Sequence, residues 1–179
     1  MKSKTNNIVF KILQIVAWII FVGLCIEAGS LLVNFLFTIY KPEMVSNLYE
    51  TLDLTAVYQK SQWTFFSIYS FILVIAVLKA YLFYIVVSMM HKMDLEKPFS
   101  DFVTRKITQI SYYTLSIGFL SFIAYGVVDR LLRRGLPLEN VAEFWADREA
   151  FIVMGAIIYI IAVIFKKGVE IQHENELTV

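Results

Sequence analysis

The sequence contains few residues of the kinds that build soluble or cross-linked proteins. It has one cysteine, 3 prolines and 2 histidines among 179 residues, and only 17% of its residues are charged. A single cysteine excludes an intramolecular disulfide, and an ordinary soluble domain carries about 25% charged residues. The formal net charge of +1 does not favour a protein that binds nucleic acid.

The sequence is instead rich in apolar residues. They make up 59% of the chain, and the mean hydropathy is +0.68. A soluble domain of this size needs a polar coat, so the composition predicts an all-α integral membrane protein with one domain. A helix needs about 20 apolar residues to cross a bilayer. We place four spans, forming a four-transmembrane-helix bundle, at about 12–37, 63–90, 110–131 and 144–165.

The lysines and arginines near the span ends predict the orientation. Nine lie on the face that carries both termini and the middle loop, at about 91–109, and the tail, 166–179. Six lie on the other face, near the outer loops at about 38–62 and 132–143. This bias predicts that both termini are cytoplasmic.

The second outer loop predicts a helical hairpin that extends out of the membrane. Gly135 suits the end of the third helix and Pro137 the first turn of the next one, and Trp145 suits the membrane interface. We expect arginines of one arm to face acidic residues of the other; the alternative is that the arginines bind an anionic ligand or lipid headgroup. The proposed charge network comprises Arg130, Arg133, Arg134, Glu139, Glu143 and Asp147.

The first outer loop predicts a short amphipathic helix. It opens at Pro42, and Val45, Leu48, Tyr49 and Leu52 follow at helical spacing. Such a helix would lie on the membrane or cap the bundle. The alternative is a lid or a surface on which a partner docks.

Two charged residues lie inside the predicted spans. A charge at the bilayer centre costs roughly 2.5–3.5 kcal/mol on insertion scales, so it usually pairs, faces the interior or has a function. Glu27 lies in span one with Asn34 on the same face, and Lys79 lies in span two. Three interpretations stay open: a structural pair; a Lys79 that snorkels to the cytoplasmic edge beside a hydrogen-bonded or protonated Glu27; or a proton or cation site at Glu27.

Small residues in spans one and three favour close helix packing. They include Gly23, Gly29, Gly118 and Gly126, and the sequence does not decide whether they pack within one chain or between copies. Cys25 is interpreted as a small buried hydrophobic residue rather than as a lipid anchor.

The chain lacks the motifs of common catalytic sites. It has no paired histidines or cysteines at metal-ligand spacing, no phosphate-binding loop and no Gly-x-Ser-x-Gly turn. We therefore expect no enzyme activity, no metal and no cofactor.

The middle loop and the tail carry a motif of their own. Ser100 and Asp101 predict the start of helix three, and Gly168 is expected to end helix four. The motif consists of Lys97, Pro98 and Phe99 with Gly168, Gln172, Glu176, Leu177, Thr178 and Val179. Two interpretations of the tail are open: it is free and solvated, or it docks on the middle loop or on a cytoplasmic partner.

The motif resembles that of the DUF2975 family of small four-span bacterial membrane proteins. The resemblance implies four helices with cytoplasmic ends in a bacterial cytoplasmic membrane, and no established activity. Family members often accompany small helix-turn-helix regulators, which implies regulation or an accessory role.

The leading hypothesis is a non-enzymatic membrane protein that acts as an accessory, regulatory or protective interaction partner. Its expected partners are the lipid bilayer and another protein or a second copy, not nucleic acid. The alternative is a small proton- or cation-coupled transporter or channel centred on Glu27.

Overall fold

The structure, a computed structural model, describes residues 2–40, 54–95, 98–136, 138, 141 and 144–177, with the backbone alone for 2–7, 55–56 and 175–177. All regular structure in these ranges is helical. The helices are α1 (Lys2–Tyr40), α2 (Thr55–Lys60), α3 (Gln62–Lys92), α4 (Asp101–Leu132) and α5 (Arg148–Leu177). All but α2 are long and apolar enough to cross a membrane, so the predicted all-α membrane fold is confirmed.

The four long helices alternate in direction. Gln14 near the start of α1 lies beside His91 at the end of α3, whereas Tyr69 donates a hydrogen bond to the Leu31 carbonyl at 3.0 Å. We call the end that carries the start of α1 and α4 the terminal end, and the other the hairpin end. The end of α5 lies at the terminal end too, because its Phe165 ring lies 5.1 Å from that of Phe99.

Local chemistry sets the ends of α3 and α4. The Ser61 hydroxyl accepts a hydrogen bond from the Thr64 backbone amide, and Ser100 caps α4 in the same way, as serine commonly does before a helix. At the other end of α4, Gly135 has a φ of +77°, a conformation that glycine adopts without strain. The Leu136 amide bonds back to the Leu131 carbonyl, which completes a Schellman motif and ends the helix as predicted.

The closest helix packing is between α4 and α5. A Cβ added at Gly118 would lie 2.7 Å from Ile152 Cγ1, and one added at Gly155 would lie 2.9 Å from the Leu115 backbone nitrogen. The buried Ser111 hydroxyl donates to the Gly155 carbonyl at 3.1 Å. Small residues therefore allow the two backbones to approach closely, and Gly118 serves packing within the chain.

Helix α1 contributes much less to the core than α3 does. Only 6% of the residues in the most apolar stretch of α1 are buried, against 39% in α3. The expectation that Cys25 is buried is wrong, since its side chain is exposed. The physical reason is that α1 packs on α3 along one side only, and a bilayer can solvate its other sides.

The fourth long helix begins later and ends later than its apolar stretch indicates. It begins at Arg148, and the preceding Trp145 is 1% exposed, so the expectation of an interfacial tryptophan is wrong. Leu138, Val141 and Trp145, in the described part of the segment before α5, all belong to the buried core. The helix also continues through Gly168 to Leu177, which corrects the predicted stop, because α5 rests on the middle loop at this point.

The amphipathic helix predicted after Pro42 lies outside the described residues. The end of the same loop forms α2, which packs on α3 with Leu54 and Val57 buried. Lys60 at its end donates a hydrogen bond to the Gly135 carbonyl at 3.3 Å. Lys60 therefore links α2 to the turn that follows α4 at the hairpin end.

Candidate functional site

The two intramembrane charges line one cavity. Glu27 reaches it from α1 and Lys79 from α3, and the cavity volume is about 10 Å³. Its remaining wall is mostly apolar and consists of Leu31, Ile72, Ile75, Ala76, Phe144 and Trp145. Glu27 and Lys79, which the sequence analysis considered together, therefore line the same cavity. Asn34 is buried in α1 but does not line this cavity.

The two charges share the cavity without direct contact. In the part of the chain that the structure describes, no carboxylate oxygen of Glu27 lies within 4 Å of Lys79 Nζ. Instead, Lys79 Nζ lies 5.5 Å from the centroid of the Phe151 ring. This contact places the Lys79 ammonium beside α5 rather than beside the Glu27 carboxylate, and the snorkelling interpretation stays a prediction.

A tryptophan and an arginine complete the surroundings of the cavity. The Trp145 indole N–H is buried and has no hydrogen-bond partner in the described part of the chain. Arg148 donates to the Trp145 carbonyl at 3.2 Å, and its guanidinium lies 3.8 Å from the Tyr125 ring centroid, a cation–π distance. Arg148 thereby links Trp145, which lines the cavity, to Tyr125 of α4.

The size of the cavity limits its chemistry. A volume of about 10 Å³ is close to the minimum for one water molecule, which needs 2–4 polar partners. Glu27, Lys79 and the Trp145 N–H offer such partners. The site can therefore hold a water molecule or a proton. No cluster of three or more histidine, cysteine or acidic residues suited to a metal occurs among the residues that the structure describes.

The motif at the terminal end forms a contact between the middle loop and α5. A Cβ added at Gly168 would lie 2.7 Å from the Phe99 ring, which also packs against Phe165. Pro98 is half-buried and Val169 is buried. The structure thus brings Phe99 and Gly168 together, as the docked interpretation of the tail requires.

The other motif residues are described only in part. Gln172 is half-buried in α5. The backbone of Glu176 and Leu177 is helical, while Lys97, Thr178 and Val179 lie outside the described residues. Their role in the motif stays a prediction.

The predicted charge network is described for its three arginines and, on the second arm, for Asp147 alone. Arg133 pairs with Asp129 of its own helix at 3.0 Å, on an exposed surface. Arg130, Arg134 and Asp147 are exposed, while Glu139 and Glu143 lie outside the described residues. The cross-arm pairing stays a prediction.

Sequence reasoning missed Trp145 and Arg148 as parts of the candidate site. The available signal was the apolar spacing of Leu138, Val141 and Phe144 in a segment interpreted as part of the outer hairpin. Leu138 and Val141 are each 1% exposed. Such spacing indicates a buried face, but it does not indicate which cavity that face closes.

Comparison with known proteins identifies a family for this chain, but that family has no assigned activity. A family model described as "Protein of unknown function (DUF2975)" matches residues 45–179, which is most of the chain. No match was found among curated proteins or among solved structures.

Proposed function

The chain belongs to the DUF2975 family of proteins of unknown function, and we propose that it is a non-enzymatic multi-pass membrane protein that acts by binding a protein partner. Its role would be accessory, regulatory or protective. We place it in a bacterial cytoplasmic membrane with both termini in the cytoplasm, which the excess of lysine and arginine at the terminal end supports.

The filled interior around Glu27 and Lys79 carries this proposal. A transported solute needs space beside the charges that bind it, and transporter sites typically lie at broken helices near the midplane. Here the cavity measures about 10 Å³ and is lined by Phe144 and Trp145 beside the two charges, while α1 and α3 continue unbroken past it. This geometry favours a structural site over a transport pathway.

The exposed sides of α1 supply a surface for a partner. Gly23 and Gly29 have nothing within 4 Å of the position where a Cβ would stand, and Ile19 and Ile26 are both exposed. In lipid, helices associate through close contact at small residues. Another membrane protein or a second copy of the chain can pack there without displacing any described helix.

A flux measurement separates this proposal from a transporter. The purified chain is reconstituted into proteoliposomes, and proton and sodium flux are compared with empty liposomes and with Glu27→Gln. We expect the wild-type chain to match the empty liposomes. Flux that is present in the wild type and lost in Glu27→Gln would refute the proposal and support the alternative, a proton- or cation-coupled site, which the shared cavity of Glu27 and Lys79 favours.

Photo-crosslinking tests the binding function directly. A photoreactive residue at Ile19 or Ile26 should give discrete protein adducts in native membranes, whereas one at the exposed Phe122 of α4 should give lipid adducts. Mass spectrometry of the adduct distinguishes a second copy from another protein. If both α1 positions give lipid adducts alone, α1 is not the binding surface and the proposal fails.

A further inference from the structure

A groove of about 500 Å³ lies between α4 and α5 at the terminal end. It is separate from the cavity at Glu27 and shares no lining residue with it. Asp101, Thr104, Arg105 and Tyr112 line it from α4, and Tyr159 and Lys166 line it from α5. We call it the α4–α5 groove.

The part of the α4–α5 groove nearest the terminal end is positively charged. Arg105 and Lys166 face it from two different helices, and both side chains are exposed. Neither belongs to an ion pair within 4 Å in the described part of the chain. Asp101 adds one carboxylate at the first turn of α4, so two cations stand against one anion.

The part of the α4–α5 groove farther from the terminal end is lined by aromatic side chains. Tyr112 lies seven positions after Arg105, and Tyr159 lies seven positions before Lys166, which places both rings about 10 Å deeper along the helices. The ring centroids are 6.1 Å apart, and both side chains are exposed toward the side that a bilayer covers. The groove therefore changes from cationic to aromatic along the membrane normal.

A buried hydroxyl supplies an additional donor. Thr104 lines the groove and is 9% exposed, and its Oγ1 has no hydrogen-bond partner in the described part of the chain. Buried hydroxyl groups are nearly always hydrogen-bonded. Rotation of the Thr104 side chain toward the groove would bring this hydroxyl to a phosphate oxygen, an acceptor that it and the two cations could share.

From this geometry we propose that the α4–α5 groove binds an anionic phospholipid. Its phosphate would lie between Arg105 and Lys166, near Thr104, and its acyl chains would follow Tyr112 and Tyr159 into the membrane. A soluble phosphate would match the cationic part alone and leave the aromatic part unused. The proposal is independent of whether a protein binds α1.

The test measures lipid binding to the full purified chain in detergent by native mass spectrometry. Phosphatidylglycerol is titrated against phosphatidylcholine, and glycerol 3-phosphate serves as a headgroup without acyl chains. We expect the wild type to retain phosphatidylglycerol preferentially and not to retain glycerol 3-phosphate. Each cation near an anionic lipid contributes roughly fivefold in affinity, so Arg105→Gln with Lys166→Gln should weaken phosphatidylglycerol binding about 25-fold.

Two matched variants keep the result interpretable. Lys11→Gln with Lys92→Gln removes the same charge from exposed residues of the terminal end that do not line the groove and belong to no described ion pair, and should retain the lipid. Thr104→Val keeps both charges and should weaken binding several-fold without unfolding the chain. Unchanged binding in Arg105→Gln with Lys166→Gln, an equal loss in the control pair, or equal binding of glycerol 3-phosphate would each overturn the lipid site. Unchanged binding in Thr104→Val would show that the Thr104 hydroxyl does not contribute to the lipid site.

Discussion

Replacing Gly155 by alanine tests whether the close approach of α4 and α5 stabilises the fold. The new Cβ would lie 2.8 Å from Leu115 Cγ and 2.9 Å from the Leu115 backbone nitrogen. Because non-bonded carbon atoms are most stable at about 3.5–4.0 Å, the two helices must separate locally by roughly 0.6–1 Å. Backbone cannot rotate aside as a flexible side chain can, so the strain falls on the whole interface.

The expected loss of stability follows from three contributions. Overpacking a well-packed core costs about 1–3 kcal/mol. The separation also stretches the 3.1 Å bond from Ser111 to the Gly155 carbonyl, and such bonds contribute about 0.6 kcal/mol in membranes. The greater helix propensity of alanine stabilises the folded variant by about 1 kcal/mol. We therefore expect Gly155→Ala to lower the free energy of unfolding by about 0.6–2.6 kcal/mol.

The assay is reversible unfolding in mixed micelles with increasing sodium dodecyl sulfate, followed by tryptophan fluorescence. Gly126→Ala is the matched control, because a Cβ there meets nothing within 4 Å and only the gain in helix propensity remains. The control should unfold at the wild-type detergent fraction or slightly above it. If Gly155→Ala unfolds together with Gly126→Ala, the close approach does not stabilise the fold and the reasoning is refuted.

Three further changes test other contacts of the bundle. Tyr69→Phe removes the hydrogen bond to the Leu31 carbonyl and should cost about 0.5–1.5 kcal/mol in the same unfolding assay. Trp145→Ala should cost about 3–5 kcal/mol, and Trp145→Phe clearly less, because phenylalanine keeps most of the ring volume and lacks the unpartnered N–H. Gly168→Leu should displace Phe99 and speed limited proteolysis of the middle loop several-fold, with little change in global stability.

Each of these changes has a control and an outcome that contradicts it. Tyr84→Phe removes a hydroxyl from a side chain that is 50% exposed and should be neutral; an equal loss there would mean that the Tyr69 bond is not specific. Equal losses in Trp145→Phe and Trp145→Ala would show that ring volume is not what Trp145 contributes. Gly23→Leu adds a side chain in open space, so faster proteolysis of the middle loop in that variant would argue against a contact specific to Gly168.

Several local features were predictable from the sequence because they depend on neighbouring residues. The caps at Ser100 and Gly135 follow from side-chain and backbone chemistry within one turn. Long apolar segments predicted the spans because every backbone polar group in lipid must be satisfied within its own segment. The cost of an isolated charge in the membrane singled out Glu27 and Lys79 as residues of interest, although their direct pairing stays a prediction.

Features that depend on contact between distant segments were not predictable. The burial of Trp145 depends on contact with helices that are distant in the sequence, and the apolar residues around it suit a membrane interface as well as a core. The course of α5 through Gly168 depends on Phe99, which packs against it from the middle loop. Glycine is a helix stop in isolation, whereas here it is the residue that leaves room for the ring.

The sequence by itself determined that this is a membrane protein, how many times it crosses, and where two of its helices begin or end, because the bilayer and the hydrogen bonds of a single turn act on each segment separately. Only the tertiary structure decided which faces are buried. It placed Glu27 and Lys79 at one cavity, left most of α1 without a described neighbour, and formed a groove lined by Arg105 and Lys166. In a chain that is apolar on nearly every side, hydrophobicity does not distinguish a surface that faces lipid from one that faces another helix, and only the fit of side chains does.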